Sequence, residues 1–376
     1  MTDAINKVTA DKGCLILHCA EVVKGGTATY LRELLPLQRA AFGPGRIHVI
    51  VPESHADQLV VPDGVGVTIF KDSPKRAIRA FKLAAVVKQL VNELKPQIVH
   101  IHSTFAGATV RPFLALTSHR PKVIYCAHGW AFDRAMSSFG RWVVISVERS
   151  LAMLCDKIVC ISNHDKKIAI EVGIRTDKLV VARNGIAREM PACSAPQPVW
   201  NSPGLRVLFI GRFDRQKGVD VFFAAMSTMQ NEVTAFAIGA AVIDGTVLPA
   251  TPPNITCPGW VKLENMPIYL EMADVIVVPS RWEGFGLIAV EAMRAGLAVI
   301  ASRVGGLAEV VEEGVTGFLV EPDKPEEIVN ILRTVTREQL HEMGNAGREH
   351  FLNEFTSDRL HRELCEVYGL PVSLNS

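Results

Sequence analysis

The feature that constrains the fold of this chain most is a regular alternation of short apolar runs with amphipathic helical stretches. In the first half, helical spacing of apolar residues is clearest at 27–39 and 74–94. Apolar runs of strand length alternate with such stretches, at 14–20, 47–51, 66–70, 98–102, 123–126, 157–161 and 179–181. This alternation predicts βαβ units, and therefore an α/β fold whose parallel sheet has helices on both faces.

A stretch with four prolines, 191–204, interrupts the alternation, which then restarts. Strand candidates of the second half lie at 206–210, 234–239, 255–257, 275–278 and 298–301. We therefore predict two doubly wound, Rossmann-like domains facing a cleft, at 1–190 and 205–345, joined by the linker 191–204 and followed by a helical segment, 346–376. In such sheets, ligands bind beyond the carboxyl ends of the strands.

Charge is divided unevenly along the chain. Residues 1–190 contain 26 Lys and Arg against 16 Asp and Glu, a net charge of +10, whereas the remainder carries −9. The first half is therefore suited to an anionic partner. The N-terminus lacks the basic-then-apolar order of a signal peptide, and no apolar run approaches the roughly 18 residues of a membrane span. The eight cysteines form no C-x-x-C pair, so we expect free thiols and a cytoplasmic protein.

The segment 280–291 combines two carboxylates with a glycine-containing turn. Glu283 and Glu291 bracket a predicted strand-to-helix turn that contains Gly284 and Gly286. Glycines allow a ligand close to the backbone, and the first amides of a helix attract anions. Phosphates at the turn and hydroxyl groups at the two carboxylates would match a nucleoside-diphosphate sugar. Taken alone, the glutamates would be a capping acid and a solvated helix residue; the strand–turn–helix context favours the site.

Two cations follow the first strand of the second domain. Arg212 comes at the strand end, and Lys217 lies in the loop before the next helix. We expect both to face the helix start at 284–287, where a guanidinium fork and a mobile ammonium would neutralise a diphosphate. A solvated basic loop is the alternative.

The first domain offers two further candidates. Gly25 and Gly26 open a helix after the first strand, which is typical of a phosphate or sugar loop but equally of a tight turn without a ligand. They do not form the G-x-G-x-x-G fingerprint of dinucleotide binding. His128 follows another strand and can donate to a sugar hydroxyl or to a departing phosphate; a structural histidine is the alternative.

The sequence favours no metal site. Acidic D-x-D pairs are absent from it, so we expect protein cations to take the place of a divalent metal. His100 and His102 form an H-x-H on one predicted strand. We expect no third ligand candidate nearby and predict structural roles for both.

A basic amphipathic stretch, 71–95, has two interpretations. Its Lys and Arg residues alternate with apolar positions such as Ile78 and Phe81. Such a helix rests on an anionic membrane or simply packs on its sheet with the charges in water. We see no aromatic stacking set and no motif for nucleic acid.

Together these residues resemble the retaining glycosyltransferases of the GT-B fold, family 4 type. The resemblance spans nearly the whole chain. It is carried, in this order, by Gly25-Gly26, Ser162, Asn184-Gly185-Ile186, Gly211-Arg212 with Lys217-Gly218, Glu283-Gly-Phe-Gly with Glu291, Val304-Gly-Gly-Leu-Ala-Glu309 and Thr316-Gly-Phe-Leu-Val-Glu-Pro322. The fold implied has an acceptor-side domain, a nucleotide-sugar domain and C-terminal helices that cross back to the first domain.

The resemblance also implies roles for single residues. Arg212 and Lys217 would hold the donor diphosphate of a UDP- or GDP-sugar, and Glu291 would hold the ribose. Glu283 would address the transferred sugar together with the backbone of Gly284, Phe285, Gly286 and Leu287; His128 would face the sugar and the leaving phosphate, and Gly25 and Gly26 would lie close to both substrates.

No metal or other cofactor is implied. The expected acceptor is a lipid-linked or polysaccharide chain of the exopolysaccharide, capsule or O-antigen kind, met at an anionic inner-membrane surface to which the protein binds peripherally. A soluble enzyme of the glycogen-synthase or epimerase type, and a non-catalytic scaffolding subunit, remain alternatives. A dehydrogenase is disfavoured by the missing fingerprint.

Overall fold

The computed structural model describes residues 13–134, 136–193, 200, 204–241 and 249–371. The chain forms two compact units. Unit 1 comprises the described residues up to Ile186 and those from Ser357 onward, and unit 2 comprises those from Ala187 to Thr356. The sequence placed these boundaries at 190/191 and 345/346. Most of the predicted linker, 191–204, lies outside the described residues.

Unit 1 is built on a seven-stranded parallel sheet with the order β3-β2-β1-β4-β5-β6-β7. Its strands are β1 (Ile16–Ala20), β2 (Ile47–Pro52), β3 (Gly66–Phe70), β4 (Ile98–His102), β5 (Lys122–Cys126), β6 (Lys157–Cys160) and β7 (Leu179–Val181). The helices between them are α1 (Gly26–Phe42), α2 (Arg76–Leu94), α3 (Thr104–Leu114), α4 (Ser138–Ala152) and α5 (Asn163–Glu171). The strand order reverses between β1 and β4, and ligands bind at such switch points.

The central strands of unit 1 are buried because helices cover both faces of the sheet. Every residue of β1, β2 and β4 is buried, the pattern of a parallel sheet enclosed on both sides. One core cluster contains sheet residues such as Leu17, Val99 and Tyr125 together with Leu83 and Val87 of α2. Function-bearing side chains therefore emerge only where the strands end.

Unit 2 repeats this design with a six-stranded parallel sheet of order β10-β9-β8-β11-β12-β13. The strands are β8 (Leu205–Ile210), β9 (Val233–Ile238), β10 (Ile255–Gly259), β11 (Val275–Val278), β12 (Ala298–Ser302) and β13 (Gly317–Val320). The helices are α6 (Val219–Ser227), α7 (Met266–Met272), α8 (Leu287–Arg294), α9 (Leu307–Val310), α10 (Pro325–Thr334) and α11 (Arg337–Glu354). Its switch point lies between β8 and β11, so the loops after these strands are the expected ligand loops.

The last helix of the chain, α12 (Ser357–Tyr368), belongs to unit 1. It packs against α1, and Tyr368 at its end reaches the sheet. The Tyr368 hydroxyl lies 2.7 Å from His100 Nδ1, and Lys122 Nζ donates to the Tyr368 carbonyl at 2.9 Å. The predicted return of the C-terminus to the first domain is confirmed, as is the prediction of two Rossmann-like parallel-sheet domains.

Within the ranges that the structure describes, the helices are too short or too polar for any of them to span a bilayer.

Candidate functional site

The loops at the switch point of unit 2 bring Lys217 to Glu283. Lys217 precedes α6, and Glu283 lies between β11 and α8. Lys217 Nζ donates to Glu283 Oε2 at 2.5 Å, and both side chains are largely buried, at 21% and 14% exposure. Because β8 and β11 are neighbours in the sheet, residues 66 positions apart meet at one edge. The sequence placed Lys217 opposite the start of α8; the structure gives it a specific carboxylate partner there.

Arg212 approaches the same segment through a glutamine. Its Nη2 donates to Gln216 Oε1 at 2.8 Å, and Gln216 Nε2 donates to the Trp282 carbonyl at 3.2 Å. Arg212 Nη2 also forms an ion pair with Asp214 Oδ2 at 3.0 Å, and the Arg212 side chain is 44% exposed. The guanidinium is therefore oriented by protein groups and still accessible to an incoming anion. Gln216 has no obvious signal in the sequence.

Helix α8 begins without a side-chain cap. Gly286 precedes it with φ 94°, a left-handed conformation that favours glycine, and supplies no side chain to cap the helix. No acidic residue lies in the first turn of α8. Phe285 is 3% exposed and packs edge-on against Phe355, at 5.7 Å between ring centroids. The turn is thus anchored on one side, while its amides keep the polarity that attracts an anion.

Two glycines that the sequence analysis used only as family landmarks support this turn from behind. The Gly306 N–H donates to the Glu283 carbonyl at 3.2 Å. A Cβ on Gly305 would collide with the Glu283 carbonyl, and one on Gly306 with the Gly284 carbonyl. The loop before α9 therefore lies so close to the 283–284 backbone that it has no room for side chains at 305 and 306. This contact holds the backbone of Glu283 in position.

Glu291 lies partly buried on α8, four residues, or about one turn, after the first helical residue Leu287. It shares that rigid helix with the predicted anion site, so its position relative to Leu287 is determined by helical geometry. Its contact with a ribose stays a prediction.

In unit 1, Gly25 and Gly26 form the start of α1. Gly25 precedes the helix with φ 55° and leaves it without a side-chain cap or an acidic first turn. A Cβ placed on Gly25 would meet no atom within 4 Å. The glycine is thus required by its backbone angle, and the space beside it is open to a ligand. Whether a ligand uses that space stays a prediction.

His128 follows β5 in an uncommon conformation, with φ 55°. Ser103, directly after β4, is similar with φ 82°. Non-glycine residues rarely adopt positive φ, and such residues cluster at functional sites. His128 Nε2 lies 3.0 Å from His102 Nδ1, and burial lowers the His128 pKa to about 4. The imidazole is therefore neutral at physiological pH.

The sequence analysis did not identify Glu21 as a functional residue, although it stands in the loop before Gly25. Its side chain is completely buried, is bonded to the Ser103 hydroxyl and receives two hydrogen bonds from Arg76, at 2.8 and 3.2 Å. A buried carboxylate is stable only when paired. Glu21 therefore ties the strained Ser103 and the loop after β1 together at the carboxyl edge of the sheet.

The expectation that His100 and His102 have no third histidine nearby was wrong. His18, on β1, lies beside them, and ring nitrogens of the three residues fall within 4.8 Å of one another. The cause is strand register, because β1 pairs with β4 so that His18 faces His100. All three are fully buried, and desolvation lowers their pKa values, that of His18 to about 4. Three neutral imidazoles fit a zinc ion, but His18 Nδ1 and His102 Nε2 are 3.0 Å apart and bond each other.

Comparison with known proteins gives two family matches. Residues 24–189 match the family described as "Glycosyltransferase Family 4". Residues 204–338 match the family described as "Glycosyl transferases group 1". The two matches divide the chain much as its two units do.

Two curated relatives and one solved structure agree with these matches. A Klebsiella pneumoniae protein described as "Uncharacterized 41.2 kDa protein in cps region" is 30% identical, over 94% of this chain and 99% of its own. The "UDP-Gal:alpha-D-GlcNAc-diphosphoundecaprenol alpha-1,3-galactosyltransferase" of Escherichia coli is 28% identical, over 77% of this chain and 80% of its own. Anabaena HepE, solved in complex with UDP, superposes with a TM-score of 0.75 at 19% identity, covering 95% of this chain and 99% of HepE. This chain therefore belongs to the group 1, family 4 glycosyltransferases and has their GT-B fold.

Proposed function

We propose that this glycosyltransferase moves a sugar from a nucleoside-diphosphate sugar to a lipid-linked saccharide at the inner face of a membrane. The observation that carries the donor half is the convergence of Lys217 and Arg212 on the 282–283 segment, directly before the uncapped start of α8. Two cations and an uncapped helix start match the charge of a diphosphate.

A UDP-sugar is the first donor to consider. HepE has been solved with UDP and also with UDP-glucose, and the E. coli relative is named for a UDP-galactose donor. The residues that we propose to hold a diphosphate and ribose, Arg212, Lys217 and Glu291, all lie in unit 2. A GDP-sugar is the alternative, because the roles proposed for these residues concern the diphosphate and the ribose, not the base.

The proposed chemistry follows from where charge develops. Breaking the anomeric bond leaves negative charge on the β-phosphate, and Arg212, Lys217 and the α8 amides are oriented beforehand to stabilise it. Protein cations then take the role that a divalent metal has in other transferases. Glu283 binds the sugar, and His128 in unit 1 binds a sugar hydroxyl. We assign retention of configuration by front-face attack, in which the leaving phosphate accepts the proton of the acceptor hydroxyl.

The acceptor half rests on the relatives and on the surface of unit 1. The E. coli relative is named for a diphosphoundecaprenol acceptor, and the Klebsiella relative for a cps region. Helix α4 exposes large apolar side chains at helical spacing, with Phe139 and Trp142 stacked at 6.1 Å. The exposed apolar residues of α4 are Phe139, Trp142, Val143 and Val147.

Helix α2 contributes a second exposed patch. Within the predicted basic stretch, Val87 and Leu90 are buried against the core, as the packing interpretation requires. Ile78 and Phe81, near the start of the helix, are 45% and 60% exposed. Basic residues surround them, and exposed aromatic side chains among Lys and Arg suit the interface of an anionic membrane. Both helices begin at the carboxyl edge of the sheet, the edge that carries Gly25 and His128.

A transfer assay tests the proposal. The protein is incubated with UDP-glucose, UDP-galactose or a GDP-sugar and with a polyprenyl-diphosphate-linked monosaccharide, and the lipid product is separated and its new linkage identified by NMR. We expect one donor to give an α-linked product in the presence of EDTA. A β-linked product, an absolute need for metal, or a sugar trapped covalently on a carboxylate would each refute the corresponding part of the mechanism. Turnover of the donor onto a soluble glucan alone would refute the lipid-linked acceptor.

A further inference from the structure

A continuous chain of hydrogen bonds runs from His128 into the core of unit 1. His128 Nε2 lies 3.0 Å from His102 Nδ1, and His102 Nε2 lies 3.0 Å from His18 Nδ1. His18 Nε2 lies 2.8 Å from Gln38 Oε1, on α1. His102, His18 and Gln38 are fully buried. These four side chains come from β1, β4, α1 and the loop after β5. Their hydrogen bonds use every ring nitrogen of His18 and His102, and one nitrogen of His128.

The direction of this chain follows from the orientation of the Gln38 amide at its inner end, which turns Oε1 toward His18. The Gln38 oxygen accepts hydrogen bonds only, so His18 carries its proton on Nε2 and presents a lone pair at Nδ1. His102 must then donate from Nε2 and accept at Nδ1. His128 in turn donates from Nε2. Each neutral imidazole has one donor and one acceptor, and the bond made by one nitrogen determines the state of the other.

We propose that Gln38, acting through His18 and His102, holds His128 in the tautomer that carries its proton on Nε2 and presents a lone pair at Nδ1. Gln38, His18 and His102 are positioning residues in this account, and His128 is the residue that meets the substrate. The consequence is a change of role for His128. With an unprotonated Nδ1 it accepts a hydrogen bond from a sugar hydroxyl and cannot donate one to the leaving phosphate.

Burial makes the arrangement stable. Desolvation lowers the pKa of His18 and of His128 to about 4, so neither is charged at pH 7. The pKa of His102 is lowered as well, by burial first and by His100, His128 and His18. An amide oxygen does not take up a proton at this pH. The chain therefore orients His128 but does not carry protons away from it.

The tautomer can be measured without any assay of transfer. The protein is labelled with ¹⁵N-histidine, and multiple-bond ¹H–¹⁵N correlation spectra are recorded at pH 7; the 11 histidines are assigned from variants, His128 by the loss of its signals in His128→Gln. We expect a pyridine-type Nδ1 and a protonated Nε2 for His128. In Gln38→Leu, where His18 loses its acceptor, we expect the His128 signals to move toward an average of both tautomers.

Two controls separate this effect from disturbed packing. Tyr30 packs edge-on against His128 at 4.8 Å between centroids, and its hydroxyl has no hydrogen-bond partner among the described residues. Tyr30→Phe should therefore leave the His128 tautomer unchanged. His48, whose Nε2 bonds Thr68 at 2.8 Å outside the chain of histidines, serves as a reference in every spectrum. If its signals are unchanged in Gln38→Leu, the fold of unit 1 is intact.

Three results would overturn the proposal. One is a protonated Nδ1 on His128 in the unmodified protein, a measurement that needs no variant. Another is an unchanged tautomer in folded Gln38→Leu. The third is one zinc ion per chain by elemental analysis of purified protein, because coordination would use the lone pairs of His18 and His102.

The catalytic consequence, unlike the tautomer, rests on the proposed function. We expect Gln38→Leu to lower kcat for sugar transfer roughly tenfold with a smaller change in the KM for the donor. If the protein transfers no sugar but shows the expected tautomer, the proposed function fails and the positioning role of Gln38 stands.

Discussion

Lys217 and Glu283 form an ion pair of 2.5 Å at the carboxyl edge of the unit 2 sheet, where the loops after β8 and β11 meet. Both side chains are mostly shielded from water, so the pair is more strongly coupled than an exposed one. Under the proposed function, a diphosphate at α8 would compete with Glu283 for the Lys217 ammonium and release the carboxylate toward the sugar. Donor binding and the positioning of Glu283 would then be coupled.

Replacing Lys217 by Met removes one of the two cations proposed for the leaving phosphate. We expect kcat for sugar transfer to fall roughly 100- to 1,000-fold, the scale found when one preorganised stabilising group is removed. The control is Lys324→Met, because Lys324 is 52% exposed and pairs with Glu326 elsewhere in the same unit. Steady-state kinetics on both variants give the comparison. Equal rates for the two variants would exclude Lys217 from the chemistry.

Gly305 offers a steric test of the turn that presents Glu283. Gly305 and Gly314 both have positive φ, 49° and 75°, but a Cβ on Gly305 would strike the Glu283 carbonyl, whereas one on Gly314 would meet nothing within 4 Å. Gly314→Ala should cost about 1–2 kcal/mol of unfolding free energy through its backbone angle alone. Gly305→Ala should cost a further ~1–3 kcal/mol because the loop must shift. Denaturant unfolding measures both.

Transfer activity adds a second criterion for the same pair of variants. We expect Gly305→Ala to lose activity at temperatures where it is still folded, since the Glu283 backbone moves, and Gly314→Ala to keep it. Similar activity in the two would mean that the 305–306 loop does not position Glu283.

Membrane binding is expected to depend on α4. Replacing Phe139 and Trp142, which are 74% and 63% exposed, by Ser should weaken binding to vesicles of phosphatidylglycerol and phosphatidylethanolamine by at least about tenfold. Each large side chain contributes roughly 1.5–3 kcal/mol when fully buried. Half of that contribution from each of the two side chains accounts for a tenfold change in affinity, which corresponds to about 1.4 kcal/mol. Sedimentation with vesicles measures the bound fraction. Leu116→Ser, at a 78% exposed position beyond the end of α3, is the control and should bind normally.

The dependence of vesicle binding on salt and on lipid charge is a second test of the α4 surface. Binding should fall as salt rises and should vanish on neutral phosphatidylcholine vesicles, because Lys and Arg act together with the apolar side chains. Binding that is equal for the double variant and Leu116→Ser would show that α4 does not contact the lipid.

Stability should fall steeply between pH 6.5 and 4. Burial lowers the pKa values of His18, His48 and His55 from 6.5 to about 4. Between these values the unfolded chain binds protons that the folded chain does not, so the unfolding free energy rises with pH across this window and is greatest above it. For a fully buried group such as His18, each pH unit within this window changes the unfolding free energy by about 1.4 kcal/mol.

His48 allows this pH dependence to be assigned to a residue. His48→Asn keeps a group that can bond Thr68 but cannot titrate. Urea unfolding at pH 4.5, 5.5 and 7 should show a smaller pH slope in the variant, by up to one proton. An identical slope would mean that His48 is already charged in the folded protein.

The architecture was predictable because apolar periodicity and turn residues report locally on strands and helices. The placement of Lys217 near the start of α8 was also predictable, since both follow strands of one parallel sheet. The partners that could not be predicted depend on strand register or on loop contacts. His18 joins His100 only because β1 and β4 pair in that register, and Gly305 meets Glu283 only because the loop before α9 folds back on the turn. Neither relation leaves a periodic signal in the sequence.

The role of Glu21 could not be predicted from the sequence either. Its buried bonds to Ser103 and Arg76 join residues that are 82 and 55 positions away, respectively, and a single glutamate in a loop resembles any solvated acid. The complete burial of its side chain in the structure indicates its role.

The most direct test of the central claim is calorimetric titration of the protein with UDP, GDP, dTDP, CMP and NAD, repeated with Glu291→Ala. The account predicts that one nucleoside diphosphate, UDP first, binds one site per chain and that Glu291→Ala weakens it at least tenfold by removing the carboxylate assigned to the ribose. Binding of NAD, or of no nucleotide at all, would contradict the assignment of unit 2 as the donor site.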